Sequence, residues 1–299
     1  MADWPIGLST GSFFQKPIEE TLPLIREGGF NILEICSFPA HLDYHDRAAV
    51  LRAAQMADEL GFEAYSFHAP FAEHIDISSL DINIRKRAYE EILRAADAAA
   101  AFSVRYFVIH PGPENIDLEP STNRFDRLRF AAEVLAQVAG HCRQVSIGCA
   151  IENKLPHLLF ASIRDLLWIL ASMGEVPIGV CLDTGHGQLA GDLCSIIQKL
   201  TGYLRMVHAH DNQGRGDDHQ PPGTGSIDWY SVTGALSEAN FHGAIILELA
   251  GRFEIDQFFS DARRARRHLR ELSRRVALNL PKPPKNERKT CPAEEILKP

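Results

Sequence analysis

Short apolar segments alternate with longer amphipathic segments along most of this chain, and this alternation restricts its fold more than any other feature. Eight segments are apolar nearly throughout, as expected of parallel strands that are covered by helices. They are residues 6–9, 31–36, 63–68, 105–110, 145–152, 178–183, 204–210 and 244–248. Eight helical segments follow them in turn, at 17–27, 45–60, 81–102, 123–142, 161–173, 193–200, 227–239 and 255–276.

Eight strands that alternate with eight helices predict an α/β fold, a single parallel (β/α)8 TIM barrel over residues 1–276. A doubly wound open sheet is the alternative, but no G-x-G-x-x-G motif follows the first strand. The length of 299 residues suits one large barrel. Residues 277–299 combine several prolines with many charges, so we expect a surface or disordered tail there.

Composition indicates a globular protein, with 45% hydrophobic and 23% charged residues. No apolar run approaches the ~20 residues that span a bilayer, and no signal peptide is evident, so we expect no membrane partner. The six cysteines form no CxxC pair, which favours reduced thiols and a cytoplasmic location. The net charge of −8 argues against nucleic acid as a partner.

Ionisable residues close most of the predicted strands at the end where barrels of this kind carry their active sites. From the third strand onward, each strand ends in or leads into members of one group: His68, His110, Glu152, Asp183, His186, His210, Asp217, His219 and Glu248. Burying an unpaired carboxylate costs several kcal/mol, and crowded carboxylates repel one another unless a cation lies between them. The pattern therefore predicts a divalent metal site with nitrogen and oxygen ligands, suited to Zn²⁺ or Mn²⁺.

The predicted strands divide this group into two sets. The inner set takes one residue from each of strands five to eight and consists of Glu152, Asp183, His210 and Glu248. The outer set contains residues expected to contact substrate, a second metal or a third metal, namely His68, His110, His186, Asp217 and His219. His208 shares a strand face with His210 but lies one layer deeper, so we expect a hydrogen-bonded core residue rather than a ligand.

Three basic residues near the strand ends are candidates for holding substrate hydroxyl or phosphate groups. They are Lys154, Arg215 and Arg252, and each is equally consistent with a plain surface charge. The glycine-rich GTG at 223–225 lacks the Lys-Ser/Thr of a P-loop, so it predicts a turn instead.

Several motifs resemble the xylose isomerase-like barrel superfamily, which groups sugar isomerases and epimerases with endonuclease IV. The similar segments are HAPF (68–71), SLD (79–81), IHPG (109–112), IEN (151–153), CLDTGH (181–186) and HAHDNQGRGDDHQPPGTGSIDW (208–229). The last is the most specific, and its form is closest to the sugar phosphate isomerase/epimerase group. The resemblance covers roughly residues 5–275 and implies that the inner set is the shared metal site.

This resemblance implies a metal-dependent isomerase or epimerase that acts on a keto sugar, a sugar phosphate or a related polyol. Glu152 and Glu248 would flank the substrate, one removing a proton from carbon and the other returning it through an enediolate. Dehydration of a keto-inositol by a lyase needs the same enolate and stays open. The resemblance also makes a homo-oligomer plausible, although the sequence carries no signature of one.

Endonuclease IV offers a second interpretation, a phosphodiester hydrolase that acts on abasic DNA. It resembles this chain in the residue types of both sets, which implies anything from one to three metal ions per chain. Its substrate needs a basic collar, whereas the rim loops at 68–81 and 110–120 are acidic. A non-catalytic barrel is the third hypothesis, and it would be expected to lack an inner ligand.

Overall fold

The structure is a computed structural model that describes residues 4–114, 123–174, 176–251 and 254–283. Eight parallel strands form a closed barrel in chain order, with the last strand paired to the first. The predicted TIM barrel is therefore confirmed. The strands are β1 Ile6–Ser9, β2 Ile32–Cys36, β3 Glu63–His68, β4 Tyr106–Ile109, β5 Gly148–Glu152, β6 Gly179–Asp183, β7 Leu204–Ala209 and β8 Ala244–Leu247.

Helices cover the outside of the barrel between successive strands. They are α1 Ile18–Glu27, α2 Arg47–Glu59, α3 Ile82–Ala101, α4 Arg124–Gln144, α5 Ile163–Ser172, α6 Thr184–Ala190, α7 Leu193–Lys199, α8 Trp229–Glu238 and α9 Ile255–Ala277. Eight of them lie where the sequence predicts helices, and α6 is additional. A 3-10 helix, Thr10–Phe13, follows β1.

Local sequence explains where these helices start and stop. Asp46 and Asp81 precede α2 and α3, and each carboxylate accepts hydrogen bonds from backbone N–H groups of the first turn. Gly61 ends the segment after α2 with a φ of 70°, a conformation that costs glycine least. The main core lies between the helices and the outward faces of the strands.

A separate apolar layer fills the lower half of the barrel interior. It consists of Ile32, Tyr65, Val108, Ala150, Cys181, Met206, Ala244 and Ile246. Because side chains alternate across a strand, positions two residues further along point into the barrel again, one layer higher. The apolar layer thus forms the floor on which the polar residues of the upper layer rest.

Within the described ranges, no helix is both long and apolar enough to cross a membrane. The cysteines described there are free thiols, and four of the five are buried. Residues 284–299 of the predicted tail lie outside the described residues.

Candidate active site

The upper layer of the barrel interior is formed by charged and polar side chains. On six strands, the residue two positions after a residue of the apolar layer points into this upper layer. These residues lie within the strand or directly after it, and they are Glu34, His110, Glu152, Asp183, His208 and Glu248. The sequence pattern therefore places carboxylates and imidazoles in a single ring at the C-terminal face. Four of these side chains, Glu34, Glu152, Asp183 and His208, are almost completely buried.

Glu152 lies at the centre of this ring. Its Oε2 atom is 3.1 Å from Nε2 of His68, 3.2 Å from Nδ1 of His208 and 3.5 Å from Nε2 of His110. Glu248 approaches the same histidine, with its Oε2 atom 3.5 Å from Nδ1 of His208. One ligand atom from each of Glu152, Asp183, His208 and Glu248 lies within 4.8 Å of the others. These four side chains form the inner cluster.

A second group of ionisable residues lies on the outer side of Asp183. Asp217 Oδ2 is 3.1 Å from Nε2 of His219 and 3.5 Å from Nε2 of His186. His210 Nε2 is 2.9 Å from Asp183 Oδ2, and the His210 ring stacks on that of His219 with centroids 3.9 Å apart. The structure therefore brings the whole predicted outer set next to the inner cluster, since His68 and His110 contact Glu152.

Hydrogen bonds hold one ring nitrogen of most of these histidines. In three of them Nδ1 lies 2.8–3.1 Å from a backbone carbonyl, of Ala69 for His68, of Asn153 for His186 and of Glu248 for His219. A carbonyl only accepts, so each Nδ1 carries the hydrogen and the Nε2 of the neutral ring presents a lone pair. Each of these lone pairs faces a carboxylate oxygen, a repulsive arrangement unless a proton or a metal ion lies between.

The Nδ1 atom of His208 gives the clearest test of whether a metal fits. It is buried and makes no hydrogen bond to any described residue, although two carboxylates lie within 3.5 Å. The opposite ring nitrogen, Nε2, is 2.8 Å from Glu34 Oε2. A buried nitrogen that is aimed at two carboxylates and left unpaired matches the mixed nitrogen and oxygen donors of a divalent metal site.

The pKa directions at the site reflect its excess of negative charge. Burial disfavours the charged form of His68, but the hydrogen bond and charge of Glu152 outweigh it and raise the pKa of His68 to about 9. Asp183 and Asp217 likewise overcome burial and raise the pKa of His186 to about 10. For Glu248 burial dominates, and it raises the pKa of that carboxyl above its ordinary value.

The level of His208 in the barrel differs from what the sequence predicts. His208 is fully buried and hydrogen-bonded, as expected of a core residue, but β6 and β7 pair in a register that aligns it with Asp183. Strands of a barrel are staggered, so the layer that includes Asp183 contains His208 rather than His210. His210 lies one layer above and contacts the carboxylate of Asp183.

Lys154 and Arg215, two of the three basic candidates for substrate binding, lie in different environments. Lys154 is buried rather than a surface charge, and its Nζ donates to the carbonyls of Gly112 and Pro113 and to Glu114 Oε1 at 2.8 Å. These bonds tie the loop after β4 to the end of β5. Arg215 is exposed and is not among the described residues that line the cavity. Arg252 lies outside the described residues.

A cavity of about 360 Å³ opens above Glu152 and Glu248. Its size is that of a small-molecule site. Phe14, Phe38 and Phe71 line one wall, and neighbouring rings lie 5.4 Å and 5.6 Å apart between centroids. The cavity therefore has side chains of metal-binding types at its base and apolar side chains along one side.

Glu34 also belongs to the site, although it is not among the residues expected there. It lies within β2, its side chain is fully buried, and it contacts His208. The available signal is a lone carboxylate inside the apolar run ILEIC, where an unpaired charge would be costly. Because Glu34 lies two positions before the end of β2, it is not part of the strand-end pattern.

Comparisons with known proteins agree with this architecture. A ketose 3-epimerase from Arthrobacter globiformis is 26% identical over 245 residues, which covers 80% of each protein. A probable endonuclease 4 from Mycobacterium leprae is 28% identical over 184 residues, 58% of this chain and 68% of that protein. The crystal structure of a D-tagatose 3-epimerase-like protein superposes with a TM-score of 0.77 at 24% identity, covering 92% of this chain and 99% of the other.

The family model described as xylose isomerase-like TIM barrel matches residues 22–272, from α1 into α9. This range includes every residue of the inner cluster and of the outer set. The resemblance seen in the sequence motifs is therefore confirmed by a match over most of the chain. The chain belongs to the xylose isomerase-like TIM barrel family.

Proposed function

We propose that this protein is a divalent-metal-dependent isomerase or epimerase of a keto sugar, a sugar phosphate or a related polyol. The observation that carries the proposal is the pair Glu152 and Glu248, which both line the cavity and both approach Nδ1 of His208. The similarity to a ketose 3-epimerase over 80% of both chains supports the same reaction class.

The inner cluster would hold the first metal ion, Zn²⁺ or Mn²⁺, through Glu152, Asp183, His208 and Glu248. When bound, a divalent cation acts as a Lewis acid that stabilises negative charge as it develops on a substrate oxygen. This assignment replaces His210 of the sequence-based inner set with His208, because His208 lies level with Asp183. His210 would instead orient the Asp183 carboxylate.

The carboxylates of the chain would carry out the proton transfers. Glu152 would remove the proton from the carbon next to the substrate carbonyl, and Glu248 would return a proton to that carbon. A proton returned to the opposite face inverts the centre, whereas one delivered to the neighbouring carbon isomerises the sugar.

Hydrogen exchange with solvent tests this proposal. Metal-reconstituted protein is incubated in D2O with a panel of free ketoses, ketose phosphates and keto-inositols, and the products are analysed by NMR. We expect deuterium at the carbon next to the carbonyl of at least one substrate, loss of that exchange on chelation and its return with Mn²⁺ or Zn²⁺. Loss of water from a keto-inositol would identify the lyase variant. No exchange with any member of the panel would contradict the proposal.

The outer set, which lies next to the inner cluster, favours a second candidate function, hydrolysis of phosphodiesters at abasic sites in DNA. His68 and His110 on one side of Glu152, and Asp217 between His186 and His219 on the other, supply donors for a second and a third metal ion. A probable endonuclease 4 is also among the relatives. Chelator-sensitive cleavage of an oligonucleotide with one abasic site would support this candidate, and an intact oligonucleotide after zinc reconstitution would exclude it.

A further inference from the structure

A fully buried carboxylate, Glu34, lies beneath the inner cluster with three described side chains on its oxygens. Ser9 Oγ donates to Oε1 at 3.1 Å, and Ser66 Oγ donates to Oε2 at 2.9 Å. The third contact is His208, whose Nε2 atom is 2.8 Å from Oε2. Every contact made by the carboxylate is therefore directed within the barrel interior.

The strand register places these contacts side by side. Ser9 of β1 and Ser66 of β3 are the register partners of Glu34 on the two neighbouring strands. The pairing of β2 with β3 also shifts between Leu33 and Glu34. Such irregularities re-aim a side chain, and here they accompany a carboxylate that points at an imidazole across the barrel.

The contact with Glu34 determines which nitrogen of His208 carries a hydrogen. The carboxylate can only accept, so Nε2 of His208 is the donor and the neutral ring presents its Nδ1 lone pair. That lone pair faces Glu152 and Glu248 and makes no hydrogen bond to a described residue. A carboxylate behind a histidine in this way fixes its tautomer and makes the other nitrogen more basic toward a metal.

We propose that Glu34 is a positioning residue that sets the tautomer and orientation of His208 for a divalent cation in the inner cluster. This inference rests on the proposed metal site but adds a residue from β2, a strand that contributes no proposed ligand. Ser9 and Ser66 hold the carboxylate in place for this role. Glu34 touches neither the cation nor the substrate.

Metal affinity tests the proposal without relying on turnover. The Kd for Zn²⁺ and Mn²⁺ is measured by chelator competition for wild type, Glu34→Gln and the control Glu91→Gln, together with the visible spectrum of the Co²⁺ forms. Glu91 is a matched control because it also contacts a histidine, His45, at 2.7 Å, but lies away from the cavity lining. We expect Glu34→Gln to raise the Kd about 10–100-fold and to alter the Co²⁺ spectrum, and Glu91→Gln to change neither.

A second variant covers the case in which Glu34→Gln does not fold. Ser9→Ala combined with Ser66→Ala keeps the buried charge but removes both hydrogen bonds that orient it. We expect the Kd to rise about fivefold in this variant, as for the loss of roughly one net hydrogen bond. A folded Glu34→Gln protein, or failing that the double variant, with the Kd and Co²⁺ spectrum of wild type would overturn the role of Glu34. A wild-type protein that binds no metal would overturn the proposed function as well.

Discussion

A histidine can bind a metal only through a ring nitrogen that carries no hydrogen, and in this barrel the neighbours of each ring decide which nitrogen that is. Backbone carbonyls hold Nδ1 of His68, His186 and His219, so the Nε2 atom of each ring faces a carboxylate. Glu34 holds Nε2 of His208, so Nδ1 is directed at Glu152. Three backbone carbonyls and one carboxylate thus orient four histidines before any ion binds.

The two histidines of β7 and its following loop should differ in their effect on metal binding. His208→Gln removes a proposed ligand, so we expect the Kd of the first metal ion to rise more than about 100-fold. His210→Gln removes a hydrogen bond to Asp183 and the ring that stacks on His219, but no proposed ligand, so a rise of about tenfold is expected. Isothermal titration of both variants checks the order, and a larger loss in His210→Gln would return that residue to the inner ligand set.

Glu152→Gln should separate catalysis from folding. The amide keeps the shape of the side chain but cannot accept a proton, so we expect deuterium exchange at the substrate carbon to fall by about 10²–10⁴-fold. Circular dichroism should show the same barrel. Glu90→Gln, a change on the surface of α3, serves as the control. Full exchange in the Glu152→Gln protein would rule out its role as the base.

Part of this residue-level chemistry is predictable from sequence and part is not. The ligand residues at the strand ends can be predicted from the sequence, because a carboxylate that ends an apolar strand needs a partner when it is buried. Glu152 and Asp183 are examples. The choice between His208 and His210 depends on barrel stagger, which no single strand encodes. Predicting the contact of Glu34 requires the same knowledge of the stagger, since its partner His208 is 174 residues away in the sequence.

At the scale of elements, the short helix α6 joins the metal site to the fold. It begins directly after β6, and the Asp183 carboxylate caps it by accepting a hydrogen bond from His186 N at 2.7 Å. One side chain therefore serves as both helix cap and proposed ligand. Strand and longer helix positions follow from periodicity and caps, but α6 has only seven residues with two glycines, so tertiary contacts must form it.

Gly185 in α6 packs against the site, and replacing it should disturb both stability and metal binding. A Cβ atom at Gly185 would lie 2.0 Å from Cε1 of His210. We expect Gly185→Ala to lower the free energy of unfolding by about 1–3 kcal/mol and to weaken metal binding. Gly140→Ala in α4 is the control, because a Cβ there meets nothing within 4 Å and should stabilise the protein by about 0.4–1 kcal/mol. Urea unfolding of both variants checks this, and equal effects would contradict the packing argument.

At the scale of the whole molecule, closure of the barrel brings together carboxylates that lie far apart in the sequence. The upper layer of the barrel and the outer set bring together five carboxylates, from Glu34, Glu152, Asp183, Asp217 and Glu248. Like charges at short range in a buried site repel strongly, so bound cations should contribute to the stability of the barrel itself. The fold and the proposed cofactor are therefore expected to depend on each other.

Removing metal should lower the thermal stability of the protein. A ligand present at 100 times its Kd stabilises the folded state by about 2.7 kcal/mol, which corresponds to a Tm shift of roughly 5–10 °C for a domain of this size. Differential scanning calorimetry before and after dialysis against chelator measures the shift. Readdition of Zn²⁺ or Mn²⁺ should restore the Tm, and an unchanged Tm would show that the carboxylates need no cation.

The most direct test of the central claim is the metal content of the purified protein, measured by elemental analysis before any contact with chelator. We predict at least one Zn²⁺ or Mn²⁺ ion per chain, with one ion favouring the isomerase or epimerase and two or three indicating that the outer histidines also bind metal. The His208→Gln protein, purified alongside, should contain less. A protein that carries no divalent metal, and takes up none on reconstitution, would contradict the claim.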